Sequence, residues 1–348
     1  MKDGCLKYMV CPICKSGNLI IQVQREDKGE VMEGDIKCSC GASYPIIAGV
    51  PRMLVGDLLK NVLKEYSNKG TQKLRQANED SHIVRRNTID AFGYEWRFYS
   101  DYDANNYFNW MPEGIVPEKI FQNKVGLEIG CGAGRHAAKT AQWAGVHFAV
   151  DISYAVDSAF QQTRYLPNCH VIQADAFNLP FKERGFDYVY CLGVIQHMHH
   201  PPEGFSHLAR QPRQGGALLV NVYQSSRPFT TGLLEAVRKI TTKMPLSLLN
   251  KLCIVAGTID YAAILIWRAL KLIGLGKVFE PLVPERIREY SRHSYRIVVA
   301  DWFDRLACPR KIHYSKEDLT SWYQKAGYVD IRVTPYWKAF WNGYGIRG

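Results

Sequence analysis

From residue 124 to residue 223 the apolar positions fall into short runs rich in β-branched and aromatic side chains, most of them followed by a turn and a helix-compatible stretch. Lys124 to Ile129 is such a run. It leads through Gly130, Cys131, Gly132, Ala133 and Gly134 into a stretch compatible with helix, Arg135 to Ala144. His147 to Val150 reads as a second strand ending in Asp151, and His170 to Ala174 as a third ending in Asp175 with Ala176 beside it. Phe186 to Leu192, after a turn at Lys182 to Gly185, and Ala217 to Tyr223 supply a fourth and a fifth. Strands alternating with helices predict a doubly wound, parallel α/β sheet whose ligand crevice lies at the carboxyl ends of the strands. Carboxylates recur here at successive strand ends, where such a crevice would use them.

Outside this core the pattern changes. Ser315 and Asp318 form a capping box for a later helix, and Gly327 supplies its stop. The intervening insertion, about 224–312, holds an apolar run from Cys253 to Trp267, broken by Asp260 and flanked by Lys251, Arg268 and Lys271. At that length and charge the run is short for a membrane span. It fits a helical lid over a hydrophobic acceptor, an interfacial helix whose basic flank makes peripheral contact with anionic headgroups, or a helical subdomain covering the sheet. Upstream, Gly56 to about Asn87 is charged and poor in apolar residues, as a helical linker would be. The aromatic run Phe92, Tyr94, Trp96, Phe98, Tyr99 predicts packing against the next domain; cover over a cofactor or substrate is the sharper reading. The expected plan is a module at 1–55, a linker at 56–91 and the α/β domain with its insertion at 92–348.

Composition adds limits. With 348 residues, 47% hydrophobic and 22% charged, the chain can form one large α/β domain and a small accessory module. The opening MKDGCLKYMVCPIC has no apolar run behind a basic start, so a cytoplasmic location is expected, and the ten cysteines read as thiols and metal ligands rather than disulfides. The net charge of +11 is concentrated: residues 224–300 carry 12 Lys and Arg against 5 Asp and Glu, 12 − 5 = +7. That suits a phosphate, nucleic acid or lipid headgroup, or a solvated helical face.

Two constellations carry chemistry. Cys11 and Cys14 sit in a C-x-x-C turn, Cys38 and Cys40 in a second close pair before Gly41, and the alternating stretch Leu19 to Val23 lies between them. Two knuckles joined by a hairpin bring four thiolates into a tetrahedron, a closed structural Zn2+ site with no position open for catalysis; Cys5 is a spare thiol nearby. The strings CPICKSGNL and CSCGASYPIIAGVPRML resemble the small zinc-ribbon family that activates tRNA and rRNA methyltransferases, over roughly the first fifty-five residues.

The glycine turn is the second. After a strand and before a helix, glycines let the backbone approach a ligand closely beside exposed helix N-terminal amides. A P-loop is excluded because no G-K-[ST] follows, and G-x-G-x-G differs from the dinucleotide pattern. Asp151 is placed to accept hydrogen bonds from both ribose hydroxyls of an adenosine. With LEIGCGAGR, VDIS, ADAFNLPF and FDYVYCLGVIQHM in that order, the chain resembles the class I S-adenosyl-L-methionine (SAM)-dependent methyltransferases over about residues 92–223 and more loosely beyond. The resemblance implies a Rossmann-like seven-stranded sheet. It places Glu128 and the loop of Gly130, Cys131, Gly132 and Gly134 beside the methionine part of SAM. Asp151 would then serve the ribose and Asp175 with Ala176 the adenine, with Ile152 and Leu192 as further cofactor-side residues.

Methyl transfer is an in-line displacement, so the protein aligns the partners and, for a hydroxyl acceptor, removes a proton. The segment Gly193 to Pro202 lacks the N-P-P-Y or D-P-P-Y signature for an amino acceptor, which directs the expectation to oxygen or carbon. His197 is the candidate base, with a packing role behind the pocket as its alternative. Tyr223, Tyr295, Asp301, His313 and Tyr314 are candidates on the acceptor side. Three functions are carried forward: methyl transfer to a small-molecule, natural-product or lipid-like substrate; methylation of rRNA or tRNA; and SAM binding without catalysis. The insertion lacks the interleaved aromatics of a single-strand stacking platform, which weighs against RNA.

Overall fold

Two sheets organise the chain, whose computed structural model describes residues 1–2, 4–67, 81–99, 117–225, 228–309, 311–336 and 339–348. The smaller sheet is antiparallel, with β1 (Leu19–Asp27), β2 (Glu30–Cys38), β3 (Ser43–Ile47) and β4 (Val50–Pro51) in sequence order. The larger holds β5 (Val125–Ile129), β6 (Val146–Asp151), β7 (Cys169–Gln173), β8 (Phe186–Leu192), β9 (Pro212–Tyr223), β10 (Tyr328–Tyr336) and β11 (Phe340–Arg347). Its order is β10-β11-β9-β8-β5-β6-β7, parallel except for β11, which runs antiparallel to both β9 and β10. This is the expected doubly wound, seven-stranded sheet. β8 lies at its centre with β5 beside it, and such interior strands are covered on both faces, which explains the apolar runs without alternation.

The predicted strands were nearly correct in place but not in length. β9 begins at Pro212 rather than Ala217, because Pro212 already pairs with Phe186 of β8 before the register shifts across Arg213 to Gly216, a mostly exposed stretch with no apolar pattern. The helix predicted to reach Ala144 ends at Thr140, where Trp143 and Ala144 both donate to the Thr140 carbonyl and turn the chain toward β6. The capping box at Ser315 forms with both of its hydrogen bonds, and Gly327 has the left-handed φ of 78° expected of a stop.

Residues 1–71, 92–228 and 310–348 form one compact unit, and residues 72–91 with 229–309 a second. Of the expected linker, residues 57–67 are helical and residues 68–80 lie outside the described residues. Within the first unit the small sheet is not a separate body. Met9 bridges Phe181, Val10 donates to the Pro180 carbonyl, and Met53 donates to the Gln173 carbonyl at 2.8 Å. Met9, Ile36 and Tyr44 belong to the same buried cluster as Leu127, Phe148 and Phe181. The edge strand β7 is thereby covered by the N-terminal segment.

In the second unit the apolar run Cys253 to Trp267 is the middle of a helix, Leu246–Leu272, of 27 residues. This corrects the expectation that it is too short for a span: by length and composition the helix could cross a membrane. It packs against the helix Tyr295–Ala307 at Gly257, where a Cβ would stand 2.5 Å from a Val299 methyl. Asp301, a candidate on the acceptor side, is absorbed in an ion network with Arg286, Arg305 and Tyr290 in this unit. Burial alone would raise the Asp301 carboxyl, but Arg305 and Arg286 outweigh it and hold it well below the usual range. Tyr295 pairs with the Thr258 hydroxyl at 2.9 Å in the same unit.

Candidate active site

At the carboxyl end of β5 three glycines take left-handed φ values: Gly130 at 81°, Gly132 at 52° and Gly134 at 83°. Any other residue would be strained at each, and the space around them is closed as well. A Cβ on Gly130 would come within 2.2 Å of Val194, and one on Gly134 within 2.8 Å of the Ala159 backbone. The loop hangs on β6: Gly130 and Cys131 both donate to the Val150 carbonyl. Asp151, at the end of β6, pins it from the side, accepting from the Gly132 amide at 2.9 Å and the Ser153 amide at 2.8 Å. A carboxylate offers about four lone-pair directions, so two remain for a ligand hydroxyl pair.

Glu128 is buried on β5 and held by aromatic hydroxyls of the neighbouring strands. Tyr190 on β8 donates to it at 3.0 Å and takes part in contacts with Thr140 (3.0 Å) and His147 (3.3 Å), while His147 pairs with Tyr188 at 2.9 Å. Burial, then the Glu128 charge, pushes the Tyr190 hydroxyl far up, so it remains a donor. Asp175 follows β7, buried, with one oxygen accepting from the Phe177 amide at 3.2 Å. Ala176, Ile152 and Leu192 are half-buried at the neighbouring strand ends. Every candidate on the cofactor side therefore lies at the carboxyl ends of β5 to β8.

The acceptor candidates divide. His197 lies in a short 3-10 turn after β8, with Phe92 at 4.9 Å and Tyr223 at 5.5 Å, both edge-on to its ring. Tyr223 in turn contacts His313 (5.7 Å), and Tyr314 bridges Gln224 directly after β9. His197, Tyr223 and His313 share one aromatic cluster at the ends of β8 and β9, Tyr314 joins it through its backbone while its ring packs on Trp322, and Tyr295 belongs to the second unit. The amide of Gln196 is fully buried there, and neither its nitrogen nor its oxygen has a hydrogen-bond partner among the described residues.

At the N-terminus the sulfurs of Cys11, Cys14, Cys38 and Cys40 all lie within 4.8 Å of one another. Cys11 to Cys40 is 3.8 Å and Cys14 to Cys38 is 3.5 Å. Zinc–sulfur bonds of ~2.3 Å place tetrahedral sulfurs about 3.8 Å apart, so the cluster fits such an ion. The Tyr44 hydroxyl lies 3.1 Å from the Cys11 sulfur, an outer contact of the kind that orients a ligand.

Residues 127–220, which contain the glycine loop and the carboxyl ends of β5 to β8, match the family described as methyltransferase domain. The chain carries a methyltransferase domain. Its curated relatives include the tRNA U34 carboxymethyltransferase of Pseudomonas putida, 29% identical over 220 residues, 58% of this chain and 62% of that protein. The protein of the same name from Pseudoalteromonas atlantica is 29% identical over 117 residues, 32% of this chain and 36% of its own length. The chain thus spans less than two thirds of these relatives. Among solved structures, a SAM-dependent methyltransferase from Aquifex aeolicus is 13% identical with a TM-score of 0.39, covering 71% of this chain and 100% of its own.

Two features of the methyltransferase domain were not singled out as site residues. Trp96 lies on the glycine loop, 3.1 Å from where a Gly132 Cβ would stand, and the Arg135 guanidinium lies 4.5 Å above its ring. Phe92, one helical turn earlier, covers His197. The aromatic run that suggested packing therefore packs on the site itself. Its spacing was the available signal; what it rests on depends on the fold.

Proposed function

We propose that the chain is a SAM-dependent methyltransferase, and the observation that carries this is the left-handed glycine loop pinned to Asp151 at the carboxyl ends of β5 and β6. The residues present fit SAM. Glu128 and the loop would hold its methionine part, Asp151 its ribose hydroxyls, and Asp175 with Ala176 its adenine. When bound, SAM supplies an electrophilic carbon on a sulfonium. His197, whose ring lies between those of Phe92 and Tyr223, would take a proton from the acceptor. The four-thiol cluster would hold a structural Zn2+, all of its positions filled by cysteine.

For the acceptor, RNA is the reading the relatives favour, since they are named for a tRNA substrate and this chain carries a net charge of +11. A lipid-like acceptor is the second reading, favoured by the exposed apolar face of the helix Leu246–Leu272.

Calorimetry with SAM tests the donor half. Replacing Asp151 by alanine removes two hydrogen bonds to a charged acceptor, about 1.5–3 kcal/mol each, so affinity should fall at least about a hundredfold. Undiminished binding by Asp151→Ala would overturn the assignment. Labelled SAM offered with total RNA and, separately, with a lipid extract decides the acceptor by which fraction retains the label.

A further inference from the structure

Helix Leu246–Leu272 buries one face against its own unit through Cys253, Gly257, Ile264 and Trp267, and its opposite face is exposed and apolar. Leu252, Ile259, Ile266 and Ile273 recur every seven residues along it, with Leu248 and Val255 beside them, and all six are exposed. Ile259 is 67% exposed and Ile266 63%. The apolar surface continues past the helix end through Leu272, 87% exposed, to Leu282, 77% exposed. Single exposed apolar side chains are ordinary, but a contiguous stripe of this length marks an interaction surface.

We propose that this face docks on an anionic lipid bilayer, the helix lying in the plane of the interface. In sequence, exposed Lys239, Lys243 and Lys251 lie before and at the start of the helix, and exposed Lys271 and Lys277 at its end and on the continuation. An apolar face with a lysine margin is the pattern of a helix that sinks into the headgroup boundary and meets anionic headgroups at its rim. A paired coiled coil fits less well. Such a partner covers a narrow seam edged by complementary charges, whereas Leu265 and Leu272 widen this face where those charges would stand. Crossing the membrane is opposed by Asp260, which accepts from Arg286 at 2.7 Å and from the Trp302 indole at 2.9 Å. Spanning would carry that ion pair into hydrocarbon and strip the packing of Gly257 on Val299. The proposal does not rest on the choice of acceptor.

Flotation with vesicles of phosphatidylglycerol and phosphatidylcholine in equal parts tests it, beside vesicles of phosphatidylcholine alone. The full chain should float with the mixed vesicles, and binding should weaken with salt. Ile259→Glu with Ile266→Glu should reduce the bound fraction at least about tenfold, since two large apolar side chains leave the interface. Lys271→Gln with Lys277→Gln should lower binding to the mixed vesicles and leave binding to phosphatidylcholine unchanged. Leu272→Gln with Leu282→Gln, at the most exposed positions, repeats the apolar test should the glutamates disturb the helix. Calorimetry with SAM on each variant keeps this result separate from the donor reading, because these residues lie outside the donor site. A chain that stays off both vesicles, or floats equally well after the apolar substitutions, overturns the proposal. So does a dimer in solution that Ile259→Glu dissociates while no vesicle binds.

Discussion

Asp157→Asn tests the seam between the N-terminal segment and the methyltransferase domain. Arg52, directly after β4, has a fully buried side chain that donates to Asp157 at 2.6 Å, to the Gln173 side chain at 3.0 Å and to the Ile47 carbonyl at 3.1 Å. Tyr66 and Arg97 hold the same carboxylate, each at 2.7 Å. Asparagine preserves the shape and removes the charge, so a guanidinium is left in the interior with neutral acceptors only. Breaking a buried pair from one side costs about 3–5 kcal/mol. Because the Asp157 side chain is 26% exposed, the lower end applies, and about 3 kcal/mol corresponds to roughly 6–12 °C in the melting temperature of a domain of this size.

The same variant carries a pH signature. Burial alone would raise the Asp157 carboxyl, but Arg52, with Tyr66 and Arg97, holds it below its ordinary value of 3.8. A folded-state pKa below the unfolded one gives stability that is complete above the ordinary value and lost as pH falls through the folded one. Thermal unfolding by circular dichroism should therefore show the full gap between wild type and Asp157→Asn at neutral pH, closing at pH values below 3.8. Equal melting temperatures at neutrality, or a gap that stays wide in acid, would refute the reasoning.

Chelation should release one zinc per chain and loosen more than the first fifty-five residues, because Cys11, Cys38 and Tyr44 share a buried cluster with Phe148 and Phe181. Hydrogen exchange should show β6, which carries Phe148, and the segment around Phe181 losing protection together with β1 to β4; loss confined to β1 to β4 counts against a shared core. Gln196→Leu should raise stability by about 1–3 kcal/mol, since it removes a buried amide with no partner on either atom among the described residues. If that amide serves the acceptor, the variant is at the same time slower in transfer, and a variant that is both more stable and as fast as wild type gives Gln196 no role there.

What could be read ahead of the structure follows from how local each cause is. The glycine loop and the carboxylates at the ends of β6 and β7 were legible because a left-handed turn between strand and helix leaves a residue-level trace, and each strand carries its own acidic end. The four cysteines were legible for the same reason, their two close pairs lying in turns. Arg52 was not. In the sequence it is one basic residue after Val-Pro, and only the placement of β4 beside β7 brings it to Gln173 and Asp157, more than a hundred positions away. Trp96 falls between: its aromatic company was visible, its position on Gly132 was not. Asp301 misled because a carboxylate looks alike in sequence whether it awaits a ligand or is consumed by Arg286 and Arg305.

The donor and acceptor halves differ in the same physical way. SAM would meet backbone, a loop whose shape three glycines and one carboxylate impose, and backbone geometry leaves little freedom to vary. The acceptor would meet side chains on segments after β8 and β9, where the rings of Phe92 and Tyr223 flank His197 and the Gln196 amide has no hydrogen-bond partner among the described residues. A buried amide left unpaired costs stability, and an arrangement that keeps one has a use for it or a ligand that satisfies it. The exposed stripe on the helix Leu246–Leu272 poses the same question at a larger scale, since apolar surface left in water also costs free energy until something covers it. The two call for different answers: the acceptor is to be sought in what relieves Gln196, and what covers Ile259 and Ile266 is the question the vesicles answer.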